Sequence, residues 1–248
     1  MTKDQFIQMA VERGADALWF VAGALTTAAW QNRTRLWNAA VCAGPFRTKS
    51  VRISAAYLIR IEIDGKHLLV RGHRIRDQFQ PVGGVYKYLP HAKSKLEDLG
   101  VTTDQCFPVD EDSRSDLRIR VPGKNVAKFL RWFDESRDRE CNPWREFFEE
   151  LVEPGLLSRE VFPHAQFRYV KRDERPVRWS AELETREILV FDVFELVPTP
   201  EQEAELRRLA AAPGPDHVFA AEARLRRRGF QAGAEPAERI APTAEWML

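Results

Sequence analysis

Cysteine is scarce in this chain of 248 residues: three occur, Cys42, Cys106 and Cys141. An odd number without a C-x-x-C pair excludes a disulfide scaffold and a cysteine-rich zinc site, and it suits a reducing cytosol. Neither sign of charge predominates. Lys and Arg number 38 against 37 Asp and Glu, a formal net charge of +1, whereas a dedicated duplex-DNA binder needs a basic excess for its phosphate contacts. The phosphate loop G-x-x-x-x-G-K-[ST], the dinucleotide fingerprint G-x-G-x-x-G and the zinc helix H-E-x-x-H are all missing, which removes the commonest nucleotide and zinc sites. The five histidines stand singly, without ligand spacing, and are read as structural. What is present is 44% hydrophobic residues, too many for a disordered chain and enough for one large domain or two small ones.

The longest uncharged stretch is residues 17–30, ALWFVAGALTTAAW. A spanning helix needs about 20 apolar residues, so a run of this length fits a core helix or an interfacial segment better. Trp19 and Trp30 bracket it and Arg33 and Arg35 follow it, as aromatic belts and cytoplasmic basic residues flank membrane helices. Two readings therefore stand: a helix buried against the domain or a partner chain, or a short anchor over residues 17–32 fixing a cytoplasmic protein to the inner membrane. Residues 1–44 are expected to form this N-terminal helical segment, either membrane-anchoring or oligomerising. Gly44-Pro45 ends it.

From residue 45 to 248 the pattern is a mixed α/β domain. Residues 50–63 alternate and are rich in β-branched side chains; Asp64-Gly65 is a hairpin turn and residues 66–71 the return strand. Residues 79–88, FQPVGGVYKY, predict a Pro/Gly turn and an aromatic strand. Residues 117–121 predict a strand and residues 125–134 a helix. Pro143 opens a further helix through residue 152. Strands over 167–170 and 188–197 and a helix over 201–211 complete the pattern. The run 224–228, RLRRR, is a helix face stopped at Gly229.

Chemistry concentrates in residues 145–151, REFFEEL. On a helix, Glu146, Glu149 and Glu150 share one face, while Phe147 and Leu151 point to another that can enter the core. Such a carboxylate face is either solvated surface or the bed of a hard cation, Mg²⁺ or Mn²⁺, able to neutralise a pyrophosphate and acidify a bound water. Arg145 can pair with a neighbouring carboxylate and fix it. Around it, Tyr86, Tyr88 and Trp144 either stack on a base or belong to the core. Lys87, Arg71 and Arg74 either hold phosphates or are surface cations.

REFFEEL resembles the R-E-U-x-E-E core of the Nudix box, and Gly83-Gly84 in PVGGVY resembles the glycine turn that opens it. Gly84 and Arg145 lie 61 positions apart, about 47 more than the box's own spacing, so residues 90–140 hold an insertion. With RISAAYLIRI, HLLVR, ILVFDVFEL and the terminal RIAPTAEWML, the arrangement is similar to the SMODS-associated NUDIX domain, a bacterial family linked to anti-phage cyclic-oligonucleotide signalling (CBASS-like defence). Two box positions differ. Arg137 stands where the pattern has a glutamate, and Val152 where it has a glycine.

The resemblance implies an α/β (α+β) Nudix-like fold, a mixed sheet packed between helices. It implies that Glu149 and Glu150 are the main ligands of Mg²⁺ or Mn²⁺. Glu146 would ligate the metal or serve as general base, the Gly83 carbonyl would complete the shell, and Arg145 would orient a glutamate. Tyr86, Lys87 and Arg71 are the candidate substrate-binding residues. The implied function is hydrolysis of a nucleoside-diphosphate-linked substrate by a defence effector. The alternative is a catalytically reduced module that senses a nucleotide or cyclic-oligonucleotide signal. The charged stretch 110–116 is a candidate lid, and the insertion is expected to fold into a strand and a helix packed beside the sheet, leaving Gly83 facing the glutamates.

Overall fold

The computed structural model describes residues 32–72, 78–106, 113–140, 142–212, 214–230 and 239–248. The apolar stretch 17–30, His73, Arg74, Cys141 and residues 110–112 of the candidate lid lie outside them. No helix among the described residues is long and apolar enough to cross a membrane.

The organising element is β1 (Ser50–Arg60). Every residue from Val51 to Ile59 is buried, so it has no solvent face, as expected of a central strand covered on both sides. One of its edges carries β9 (Thr185–Val197) in parallel, from Arg52 opposite Glu187 to Arg60 opposite Glu195. Beyond β9 lie β7 (Gln166–Glu174) and β8 (Arg178–Ser180), both antiparallel. The opposite edge of β1 is shared. Its C-terminal half pairs with β4 (Gln78–Val85) and its N-terminal half with β6 (Arg118–Pro122), both antiparallel. Then β3 (Lys66–Arg71), preceded by the short β2 (Glu62–Ile63), β5 (Thr102–Thr103), β10 (His217–Ala221) and β11 (Arg239–Ile240) extend the sheet.

This shared edge explains how the insertion is tolerated. Its strand β6 does not pack beside the sheet, as expected, but continues β4 within it. Leu117 N–H donates to Tyr86 O at 2.7 Å, and Ala55 N–H donates to Leu117 O at the seam. The two ends of the insertion are bonded together: Tyr88 bridges Arg139, and Glu140 N–H donates to Lys87 O at 2.8 Å. The chain leaves the glycine strand and returns beside it, so the extra length costs only loop-closure entropy, which grows logarithmically.

The helices cover the sheet. After a short helix, α2 (Lys93–Asp98), the insertion supplies α3 (Gly123–Glu135), which buries Val126, Phe129, Leu130, Trp132 and Phe133 on one stripe. Against it lies α1 (Arg33–Ala43). Although α1 falls within the expected N-terminal segment, Arg35 pairs with Glu174 at 2.7 Å and Asp134 at 2.9 Å, and Asn38 bonds Glu174 and the Arg175 carbonyl. Its Cys42 is fully buried, and burial pushes the thiol up to about 11, so it is an inert core residue.

The glutamate helix begins as α4 (Pro143–Phe147) and changes over Phe148–Val152 into a π-helical turn, where the expectation was α-helix throughout. Glu153 N–H donates to Phe148 O at 2.8 Å, five residues back, and such wide turns recur at functional sites. Phe147 and Leu151 enter the core fully buried, as their spacing predicts. The loop that follows is pinned by α5 (Pro200–Ala211), which opens with a Thr199–Gln202 capping box. Gln202 donates to Val161 O and His164 O, and Glu205 accepts from Ser158 N–H. The short α6 (Glu222–Arg226) precedes Gly229 at positive φ, the stop expected there.

Candidate active site

The glycine pair is the floor of the site. Gly83 and Gly84 do not form a turn, as expected, but lie inside β4 opposite Leu58 and Tyr57. Both have no room for a side chain. A Cβ on Gly83 would fall 2.2 Å from the Tyr57 carbonyl oxygen, and one on Gly84 would fall 2.1 Å from Glu146 Cδ. Bare backbone here lets α4 and its π turn come down onto the strand. Gly83 N–H donates to Glu150 Oε2 at 3.1 Å, so glutamates and glycines meet despite the 61 positions between Gly84 and Arg145. The contact runs through the Gly83 amide.

Glu146 and Glu150 are thus gathered in a secluded place, their side chains 14% exposed for Glu146 and the whole residue 8% exposed for Glu150. Burial raises the affinity of both for a proton. For Glu150 it pushes the carboxyl up to about 8, opposed by the Gly83 N–H and reinforced by the charges of Glu146 and Glu149. For Glu146, Arg145 and Lys87 partly counter the effect of burial. Glu149 departs from the expected triad: its side chain is 47% exposed and turned onto Arg145 at 3.2 Å. Accordingly, among the described residues no group of three His, Cys, Asp or Glu side chains is close enough to hold a metal ion.

Arg145 is the hub. Its Nη2 lies 2.6 Å from Glu146, its Nη1 3.2 Å from Glu149 and its Nε 3.2 Å from Glu140. Burial opposes its charge, but Glu146, Tyr57, Glu140 and Glu149 outweigh that, and the guanidinium holds its proton more tightly than an ordinary arginine. Sequence reasoning passed over Tyr57 and Glu140. Tyr57 is 1% exposed and donates from its hydroxyl to the Asn142 carbonyl, just before the helix. Neither had a sequence signal, because each contact joins segments that only the tertiary fold brings together.

The candidate substrate residues divide. Arg71 lines a cavity of about 330 Å³ together with Glu150, Pro154 and Leu156, at the small end of ligand-sized clefts. There Arg71 lies over the Phe79 ring and donates to the Pro215 carbonyl at 2.8 Å. Lys87 is half-buried and near enough to Glu146 for its charge to lower that carboxyl's proton affinity. Tyr86 is a correction. It is fully buried, donates to Asp192 at 2.7 Å and packs under Arg139, so it offers no face to a ligand. Its strand is covered on both faces here, so alternation could not reveal which side was free. Trp144 stacks on Phe147 of its own helix. Tyr86→Phe is accordingly expected to cost about 1.5–3 kcal/mol, the range for a hydrogen bond to a charged group, with no effect on substrate KM; urea unfolding and kinetics check it.

A helix of carboxylates seated on a two-glycine strand of a mixed α+β sheet defines a Nudix-type fold. The chain belongs to the SMODS-associated NUDIX domain family, whose model matches residues 50–248. Neither the curated proteins nor the solved structures compared include a match.

Proposed function

We propose that the protein hydrolyses a pyrophosphate bond in a nucleoside-diphosphate-linked substrate with the help of Mg²⁺ or Mn²⁺, as an effector in cyclic-oligonucleotide-signalled defence. The observation that carries this is the convergence of Glu146 and Glu150 on Gly83 and Gly84. Two buried carboxylates side by side, each with raised proton affinity, are a costly arrangement unless a cation or a proton-transfer role uses them. The donor chemistry fits a hard divalent ion. Around Arg145 and Lys87 stand Glu140, Glu146, Glu149 and Glu150, an excess of two negative charges when all are ionised. Glu150 would hold the ion, with Glu149 one residue away on the same turn, and Glu146 would stand beside it as base. Bound there, the ion would screen the pyrophosphate and acidify a water.

The chain's own residues do the rest. Glu146, with its raised proton affinity, accepts a proton from the attacking water. Arg145 fixes the angle of that carboxylate. Arg71, which lines the cavity with Glu150, meets a phosphate, and Lys87 adds positive charge beside Glu146. A second reading, a nucleotide-sensing module, draws on Glu149 being engaged by Arg145 and on Arg137 and Val152 at altered box positions. The test is a screen of nucleoside-diphosphate-linked compounds with Mg²⁺ or Mn²⁺, with and without cyclic oligonucleotides and with a chelator control. Metal-dependent release of a nucleoside monophosphate supports hydrolysis. Tight nucleotide binding without turnover under every condition supports the sensing module.

A further inference from the structure

Arg145 spends three nitrogens on three carboxylates, and these differ in where they are mounted. Glu146 and Glu149 ride on the same helical segment as Arg145 and move with it. Glu140 does not. Its backbone N–H donates to Lys87 O at 2.8 Å, tying it to the end of the glycine strand. Its neighbour Arg139 is 7% exposed, lies 4.1 Å from the centroids of both Tyr86 and Phe133, and donates from Nε to Phe133 O at 3.0 Å. Residues 139–140 are therefore nailed to the core, and the Glu140 carboxylate reaches Arg145 Nε from outside the helix at 3.2 Å. A guanidinium held at Nε and at both Nη atoms cannot rotate out of its plane, and the entropy of a long flexible side chain is removed in advance.

We infer that Glu140 is a positioning residue: it braces Arg145 against the core and so sets where Glu146 and Glu149 stand at the proposed hydrolytic centre. The inference rests on the hydrolase reading for its catalytic consequence, though not for the brace itself. Arg137, which stands where the box pattern has a glutamate, is exposed and has the wrong sign to hold a guanidinium. The carboxylate that meets Arg145 Nε comes three residues later, at the closing end of the insertion. The insertion is then part of the site's construction, since the bond that shuts it, Glu140 N–H to Lys87 O, also fixes the brace.

The experiment compares the full chain with Glu140→Gln, Glu140→Asp and, as control, Arg137→Gln. Glu140→Gln is expected to lower kcat about 10- to 100-fold, the scale of a small misplacement of catalytic groups, with KM within about twofold. It should weaken Mn²⁺ binding several-fold, because the Arg145 charge is then less neutralised. Glu140→Asp should recover part of both, and Arg137→Gln should change neither. Nitrogen-15 NMR reads the brace directly. The Arg145 Nε–H resonance, identified by its loss in Arg145→Lys, should be slow to exchange in the wild type and exchange rapidly in Glu140→Gln. A Glu140→Gln variant that keeps kcat, metal affinity and a protected Nε–H overturns the inference. A wild type with no turnover on any substrate, but with Nε–H protection that depends on Glu140, sinks the hydrolase reading and leaves the brace standing.

Discussion

Glu150→Gln is expected to abolish divalent-metal binding and, in metal-free protein, to raise stability at neutral and alkaline pH. The carboxyl has an ordinary value of 4.5 and is pushed up to about 8 by burial in the fold. Between those two values the folded protein keeps a proton that the unfolded chain has released. The stability linked to this group is full below about pH 4.5 and is lost as pH rises towards 8, at up to about 1.4 kcal/mol per pH unit. Above pH 8 the folded protein carries a buried carboxylate with one backbone donor and two like-charged neighbours. Glutamine does not titrate, and its oxygen can still accept from Gly83 N–H, so the variant should show a flatter pH profile and the higher stability at pH 9. A bound cation reverses the trend. It needs the ionised carboxylate, so binding to the wild type releases a proton near neutrality and tightens with pH. At a hundredfold excess over Kd the ion adds about 2.7 kcal/mol, and the variant gains none of it. Urea unfolding at pH 5, 7 and 9 with and without Mn²⁺, and calorimetry in buffers of different ionisation enthalpy, measure each part. Parallel pH profiles for the two proteins, with equal Mn²⁺ affinity, would mean that Glu150 is an ordinary buried glutamate and no ligand.

How much of this was legible in the sequence depends on whether a feature is local. The β1 and β9 strands and α3 and α5 were visible because hydrophobic period and caps are written within a dozen residues. The juxtaposition of Gly83 with the glutamates was legible only through the resemblance, which covered residues 52–248 against the 50–248 matched. The strands β8 and β10 and the helix α2 went unnoticed. They are short or sparsely apolar, and partners elsewhere in the chain stabilise them. The misreadings have one physical origin. Gly-Gly has the local preferences of a turn, yet here it is a strand interior made glycine by what approaches it: the Tyr57 carbonyl from one side and Glu146 from the other. Tyr86 looked available because an aromatic face can stack on a base, yet Asp192, distant in sequence, claims its hydroxyl. The π turn left no trace in composition, since the α-helical spacing of Glu146, Glu149 and Glu150 is the same string of letters. Within that turn Glu149 is half exposed and paired with Arg145, a departure from the expected triad.

Two single-methyl substitutions at the glycine pair should fail in different ways. In Gly83→Ala the new Cβ meets backbone, the Tyr57 carbonyl oxygen at 2.2 Å and the Leu58 Cα at 3.0 Å, and φ is +151°. Neither obstacle can swing aside, because Tyr57 and Leu58 belong to the buried central strand. Adding an overpacking cost of about 1–3 kcal/mol to a similar cost for the strained backbone, the expected loss is about 2–6 kcal/mol. That is enough to unfold a marginally stable domain at 37 °C. In Gly84→Ala the methyl meets a side chain, Glu146 Cδ and Oε1 at 2.1 Å and Cγ at 2.6 Å. Glu146 can rotate away, so most of the stability should survive. What is lost is the placement of the carboxylate. Displaced by about 1 Å or more, it leaves Arg145 and its seat beside Glu150, and a displacement of that size costs roughly 100-fold in rate. Gly84→Ala should therefore melt near the wild type yet bind Mn²⁺ weakly and turn over poorly, while Gly83→Ala should be poorly folded before any assay. Denaturant unfolding, metal titration and turnover on the two purified variants separate these outcomes. A stable Gly84→Ala with wild-type metal affinity and rate would show that Glu146 need not lie over the glycine strand. The convergence of carboxylates there would then be packing without chemistry.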